Sequence, residues 1–287
     1  MKTILLGGGG QLATDLEKAL ADAPVTALPH SELDVCDFNQ VRRVLGAERP
    51  DVVINTAAFH HVDNCEDEWQ KAFNVNAFAC RNLASVCADL DTTLVHISTD
   101  YVFSGKQSTP YTESDLPDPL SAYGASKVAG EFFVKTYCPS HIIVRSSGLY
   151  GVAGASGKGG NFVETMIRLA KAGKPLSVVD DQIMVPTCTN DLAEKIVEVI
   201  RAGGRGIFHI TNGGGCSWYE FAGQIFECAG LRPELSPTTT EAYGSKAARP
   251  AYSVMSSEKL KPLGVDPLPP WRDALRRYLA QKGHLAA

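Results

Sequence analysis

Tyr123-Gly124-Ala125-Ser126-Lys127 places a phenol and an ammonium four residues apart, and so on one face of a helix. Such a pair suits the reduction of a carbonyl. Negative charge develops on the carbonyl oxygen as hydride reaches the carbon, and a positioned proton donor must quench it. An unperturbed tyrosine, with a pKa of about 10, releases its proton reluctantly near neutrality. A lysine cation beside it favours the phenolate and eases that release. Upstream, Ser98-Thr99-Asp100 ends a predicted strand, where the Thr99 hydroxyl can hold the same oxygen beside Tyr123. The Tyr-x-x-x-Lys spacing alone recurs on many solvated helices, so its weight rests on its company.

That company includes a site for a hydride carrier. Gly7-Gly8-Gly9-Gly10-Gln11-Leu12-Ala13 follows the first predicted strand and opens a helix. Residues 8, 10 and 13 fit Gly-x-Gly-x-x-Ala, and residues 7, 10 and 13 fit the wider Gly-x-x-Gly-x-x-Ala. Glycine lets the backbone turn sharply and approach a pyrophosphate, whose charge then sits at a helix N-terminus. Gly7, Gly10, Gln11 and Leu12 are therefore candidate cofactor contacts, with Ala13 small enough for close packing. After the second strand the chain reads Leu28-Pro29-His30-Ser31-Glu32, without an acid directly at the strand end to take a ribose 2'-hydroxyl. His30 and Ser31 suit a 2'-phosphate instead, which favours NADPH, with NADH the alternative. Asp37 either serves the adenine side or caps the next helix.

The elements that must position these groups alternate. Strands are predicted at Thr3 to Leu6, Val25 to Leu28, Val52 to Asn55, Leu94 to Ser98 and Ile142 to Arg145, with helices at Leu12 to Ala21, Phe38 to Leu45, Trp69 to Leu90 and Ala122 to Tyr137. Such βαβ alternation specifies an α/β fold with a doubly wound parallel sheet of the Rossmann kind. The rhythm breaks at the glycine-rich stretch 151–160, expected to be a mobile loop or a surface linker. Beyond it come predicted helices at Phe162 to Lys171, Asp191 to Arg201, Trp218 to Ala229 and Trp271 to Leu279, and a strand around Phe208 to Ile210. The expected division is a dinucleotide-binding domain from residues 1–148 and 188–204. A smaller C-terminal α/β substrate-binding lobe is formed by 149–187 and 205–287.

A formal charge of -5 lacks the excess of Lys and Arg that a nucleic-acid surface needs. The apolar start Met1 to Leu6 is cut by four glycines before a signal-peptide core can form, and no later run reaches membrane-spanning length, so a cytoplasmic protein with no membrane partner is expected. Eight scattered cysteines, with no Cys-x-x-Cys pair, read as reduced and mostly buried thiols. His60-His61 are adjacent without other ligands at metal spacing, so no metal is expected and His60 is read as a contact to cofactor or substrate.

Taken together, Gly7 to Ala13, Asn55-Thr56-Ala57-Ala58 with Val62-Asp63 and Glu66, Ser98 to Phe103, and Tyr123 to Lys127 resemble the extended short-chain dehydrogenases, and within them the dTDP-4-dehydrorhamnose reductase family. Asn161-Phe162, Asp181-Gln182 with Pro186-Thr187, Asp191-Leu192-Ala193 and Arg249-Pro250 extend the resemblance over nearly the whole chain. It implies reduction of a 4-keto group on a nucleotide-linked 6-deoxy sugar. Tyr123 is then the proton donor, Lys127 holds the nicotinamide ribose, Thr99 holds the sugar oxygen and Asp100 supports the site. Ala57 and Ala58 fall on the cofactor side, His60 and Val62 on the substrate side, and Asn161, Gln182 and Arg249 toward the substrate's nucleotide diphosphate. Each of the last three also has a structural alternative: a helix cap, a turn residue and an ion-pair partner. Two departures bear on the sugar. Gly148 stands where the family tends to carry a tryptophan, which removes an apolar wall, and Met184 stands where a glycine is usual. A sugar-nucleotide epimerase of the same fold, or a non-catalytic regulatory subunit resembling that of methionine adenosyltransferase, are the alternatives, and a monomer or homodimer fits either.

Overall fold

The computed structural model describes residues 1–154 and 160–286, so residues 155–159 of the expected loop lie outside the described ones. Six strands, β1 (Thr3–Leu6), β2 (Val25–Leu28), β3 (Val52–Asn55), β4 (Thr93–Thr99), β5 (His141–Ser146) and β10 (Gly206–His209), form one sheet in the order β10-β5-β4-β3-β1-β2. Every pairing in it is parallel. A parallel sheet carries helices on both faces, which is why these strands are apolar runs without alternation. Side chains nevertheless divide by period two: Leu5, Ile54, Val95 and Val144 enter one core, and Ile4, Leu6, Val53 and Ile143 the other. Helices α1 (Gln11–Ala19) and α8 (Thr189–Arg201) cover the first face, bringing Leu12, Leu16, Leu192 and Ile196. Helices α2 (Phe38–Glu48), α5 (Ala79–Asp89) and α6 (Ala122–Tyr137) cover the second with Val41, Leu83 and Val134.

Strand order reverses between β1 and β3, and in open α/β sheets ligands bind outside the carboxyl ends of the strands at such a point. The glycine turn lies at the end of β1, Ala57 and Ala58 follow β3, and Thr99 ends β4. One end of the sheet thus gathers most of the candidate residues.

A second core is built around Tyr150, Val163, Phe221, Trp271 and Tyr278. Its helices are α7 (Phe162–Lys171), α9 (Trp218–Cys228) and α11 (Trp271–Gln281). Two-stranded pairs complete it: β6 (Leu149–Tyr150) with β9 (Thr187–Cys188), β7 (Leu176–Val179) with β12 (Leu235–Thr238), and β8 (Ile183–Met184) with β11 (Cys216–Ser217).

Two expectations are corrected. The strand near Phe208, assigned by sequence to the second lobe, pairs with β5 and forms the sixth strand of the main sheet. Its neighbours Leu260, Val265 and Leu268 also pack into the first-lobe core. The helix expected from Trp69 to Leu90 is α4 (Trp69–Phe73) and α5 joined by a π-helical turn, Asn74–Phe78. There Asn76 accepts from Phe59 N at 2.9 Å and donates to Phe59 O and Ser126 Oγ, both at 3.0 Å. A side chain captured by a loop and by α6 is a tertiary contact that helical periodicity does not carry.

Candidate active site

Helix α6 starts where two side chains satisfy its open N–H groups. Ser121 Oγ accepts from Gly124 N at 3.2 Å, and Glu66 Oε1, on α3 (Val62–Asp67), accepts from Ala122 N at 2.9 Å. Position 124 must be glycine here: a Cβ would lie 2.3 Å from Tyr101 O. That close approach sets α6 against the end of β4 and brings the Tyr123 phenol beside the Thr99 hydroxyl. The Tyr101 and Tyr123 rings meet edge to face, 5.7 Å between centroids.

Lys127, one turn on, is buried, with Nζ donating to Ile97 O at 2.7 Å and 3.4 Å from His96 Nε2. Burial pushes the Lys127 ammonium below its ordinary pKa and raises the Tyr123 phenol, the Thr99 hydrogen bond opposing the latter. The sequence expectation that Lys127 lowers Tyr123 is therefore corrected. Desolvation prevails, and Tyr123 stands as a protonated phenol at neutral pH, the form that donates.

Asp100, also buried, accepts from Ser253 Oγ at 2.6 Å, Ser147 Oγ at 2.8 Å and Thr99 Oγ1 at 3.2 Å. Burial raises its pKa against those three hydroxyls. Arg249 reaches the same region from the second lobe. Its Nη2 donates to Asp63 Oδ2 at 2.9 Å, its Nη1 donates to Ala247 O at 3.0 Å, and the guanidinium lies beside the Tyr101 phenol, whose pKa burial pushes up to about 12.

The glycine turn is a fitted cradle. Gly7 and Gly9 have φ of 86° and 79°, the left-handed region that favours glycine. A Cβ on Gly7 would strike Thr56 Oγ1 at 2.8 Å and Ala57 N at 2.9 Å, so the ends of β1 and β3 close on each other only without one. Gly10 is the N-cap of α1 and gives it no side-chain cap, leaving the first-turn N–H groups at Gln11 and Leu12 for an anion. The buried Oε1 of Gln11 has no hydrogen-bond partner among the described residues. The glycine turn and the open first turn of α1 fit a dinucleotide diphosphate. At the end of β2, His30 is exposed with Nδ1 3.7 Å from Asp34 Oδ1, and Ser31 is exposed beside it. Asp37 takes the capping alternative: its Oδ1 accepts from Gln40 N at 2.9 Å at the start of α2.

A family description, the RmlD substrate binding domain, matches residues 1–283. The chain belongs to the dTDP-4-dehydrorhamnose reductase family. It is 42% identical over 283 residues to a spore coat polysaccharide biosynthesis protein of Bacillus subtilis, covering 98% of each chain. It is 38% identical to a dTDP-4-dehydrorhamnose reductase of Mycolicibacterium smegmatis, covering 97% of this chain and 85% of that one. Among solved structures, a dTDP-4-dehydrorhamnose reductase of Bacillus anthracis in complex with NADP has a TM-score of 0.93 at 39% identity, with 98% of this chain and 100% of that chain covered. A UDP-glucose 4-epimerase of Thermus thermophilus, at 21% identity and a TM-score of 0.80, shares the fold.

Within this family, the residues expected on the substrate's nucleotide side separate. Asn161 caps α7: its Oδ1 accepts from Glu164 N at 3.1 Å, while its Nδ2 donates to Gly151 O and Tyr278 OH. Gln182 is buried and donates to Thr240 Oγ1 at 2.9 Å. Their amides are engaged in holding the second lobe, whereas Arg249 stands beside Tyr101. His60, with Nδ1 3.3 Å from Ala58 O, lies on the loop after β3, and Val62 is the first residue of α3.

Gly148 has φ of 55°, and a Cβ there would meet Val185 O at 2.9 Å and Met184 Sδ at 3.1 Å. Met184 itself is buried in the second core and pairs with Cys216. Glycine at 148 and methionine at 184 thus pack against each other.

Residues that sequence reasoning passed over are Asn76, His96, Ser147 and Ser253. Their signal was faint: each is a common polar residue with no spacing of its own, and only burial marks it.

Proposed function

We propose that this chain reduces the 4-keto group of a dTDP-linked 6-deoxy sugar with NADPH as reductant. The observation that carries this is the placing of Tyr123 beside the buried Thr99 at the carboxyl end of β4, with the buried Lys127 one helical turn on and the glycine cradle at the end of β1. The names of the family members support the substrate class.

Bound NADPH supplies hydride to the ketone carbon. Gly7, Gly9 and the open first turn of α1 would hold its diphosphate, and His30 and Ser31 would take its adenosine end. Tyr123, kept protonated by burial, gives its proton to the sugar oxygen as charge develops there. The Thr99 hydroxyl keeps that oxygen beside the phenol. Lys127, held on Ile97 O, brings a positive charge to the site as Tyr123 becomes phenolate. Arg249, fixed by Asp63, is the candidate for the nucleotide diphosphate, and Asn161 and Gln182 shape the lobe behind it.

Residues 1–148 with α8 and the edge strand β10 form the cofactor half in this reading and the second core the substrate half. The protein acts as a cytoplasmic monomer or homodimer. The test is NADPH oxidation by the purified protein with a panel of nucleotide-linked 4-keto sugars. Turnover with a dTDP-linked 4-keto-6-deoxy sugar is expected; tight dinucleotide binding without turnover on any member would assign a binding role instead.

A further inference from the structure

The Asp100 carboxylate is held by parts of the chain that meet only in the folded protein. Ser147 follows β5 in the first lobe, and Ser253 belongs to the second-lobe segment that carries Arg249. Both hydroxyls donate to the same oxygen, Oδ2, at 2.8 and 2.6 Å, and both serines are 2% exposed. The other oxygen, Oδ1, accepts from Thr99 Oγ1 at 3.2 Å, long for a bond of this type. Thr99 Oγ1 in turn accepts from Tyr101 N at 3.2 Å. With Oδ2 accepting from both serines, the carboxylate plane is fixed and Oδ1 faces the Thr99 hydroxyl, which lies beside Tyr123.

We propose that Ser253, together with Ser147, is a positioning residue for the reduction: it holds the Asp100 carboxylate so that Oδ1 directs the Thr99 hydroxyl, and so ties the docking of the substrate lobe to the readiness of Tyr123. This rests on the reading of Thr99 and Tyr123 given above. Ser253 is well placed to report docking. Its N–H donates to Ile183 O at 2.8 Å, and Ile183 bridges to the adjacent Tyr252, so the serine moves with β8 of the second lobe. The weak Thr99 bond yields readily when a sugar oxygen arrives, whereas the two serine bonds do not.

The arrangement has a signature that a packing role lacks. The titratable groups facing Asp100 are Tyr101 in its own turn and Tyr123 on α6. From β5 and from the second lobe come the serine hydroxyls. Burial raises the Asp100 pKa, and the Ser253 hydrogen bond is the largest effect opposing it, followed by that of Ser147. Removing either serine therefore shifts protonation of Asp100 to higher pH. If the ionised form is what directs Thr99, activity on the acid side falls at a higher pH.

The experiment measures kcat and KM against pH for wild type, Ser253→Ala, Ser147→Ala and Ser253→Thr, with NADPH binding and thermal unfolding followed alongside. Expected for both alanine variants is a kcat about tenfold lower at neutral pH, the scale of one hydrogen bond to a buried charge, with KM within about twofold. Their acid limb moves to higher pH, and Ser253→Thr restores both rate and limb. An unchanged kcat, or a loss of kcat with an unmoved acid limb in the two alanine variants, overturns the proposal. Wild-type turnover in the same series tests the underlying reading separately, since its failure appears before any variant is compared.

Discussion

Asp63 Oδ2 and Arg249 Nη2 meet at 2.9 Å, joining the first turn of α3 to a second-lobe segment 186 residues later. The other Asp63 oxygen accepts from Ala247 N at 2.9 Å, and Lys246 pairs with Asp67 on the same helix. The first-lobe helix that caps α6 through Glu66 is therefore also the anchor for the arm bearing Arg249. Substrate lobe and proton donor share one short helix.

Arg249→Met should raise KM for the sugar nucleotide at least about tenfold while leaving NADPH affinity unchanged. The cost in stability should be small, about 1 kcal/mol, because Asp63 is half exposed and its pair is screened. Arg249 holds the Asp63 carboxyl below its ordinary range. That stabilisation is thus present above the unfolded pKa and is lost as pH falls through the depressed folded value. Denaturant unfolding at neutral and acid pH for wild type and variant checks it: the two should converge at low pH.

Two glycines in helices should respond oppositely to alanine. In Gly124→Ala the new methyl meets Tyr101 O at 2.3 Å and Pro119 Cβ at 2.9 Å, backbone and ring that cannot swing aside. A loss of roughly 1–3 kcal/mol is expected, with turnover falling as α6 moves off β4. In Gly46→Ala, inside α2, the methyl meets nothing within 4 Å. That variant should gain roughly 0.5–1 kcal/mol from helix propensity alone, at unchanged turnover. Urea midpoints decide both.

Burial moves Lys127 below its ordinary value of 10.5 and Tyr123 above its value of 10.0, so as pH rises the amine loses its proton first. The alkaline limb of kcat should lie below 10.5 and belong to Lys127. Lys127→Arg, charged throughout, should lose that limb whatever activity it keeps. In stability the slope has the same sign as for Asp63, because both folded values are depressed: burial favours the neutral amine, so the folded state gains as pH rises from the depressed pKa toward the unfolded value.

Much of this arrangement was legible in the chain. Helix α6 runs Ala122–Tyr137 as its pattern predicts, and the first three strands fall where their apolar runs lie. What stayed hidden was decided by partners distant in sequence. The edge strand Gly206–His209 is fixed by pairing to β5, the π turn by Asn76 reaching Phe59, and the left-handed backbone at Gly148 by Val185 and Met184. Likewise Asn161 displays a motif residue's identity, and only the structure shows its amide engaged by Gly151 and Tyr278.

The cofactor's phosphate end gives a separate handle. His30 and Ser31 are exposed beyond β2, where a carboxylate would repel a 2'-phosphate and accept a ribose hydroxyl. Ser31→Asp should weaken NADPH binding at least about tenfold and leave NADH binding equal or tighter. Fluorescence titration with each dinucleotide reads this directly, and equal losses for both would remove Ser31 from the cofactor site.

The central claim is that the Tyr123 phenol delivers the proton. Single-turnover reduction of a dTDP-linked 4-keto-6-deoxy sugar by Tyr123→Phe, with NADPH prebound, tests it most directly. Phenylalanine keeps the ring against Tyr101 and removes only the hydroxyl. Dinucleotide binding should match wild type while the reduction step slows at least about 100-fold. A variant that reduces the sugar at the wild-type rate would place the proton donor elsewhere and contradict the account.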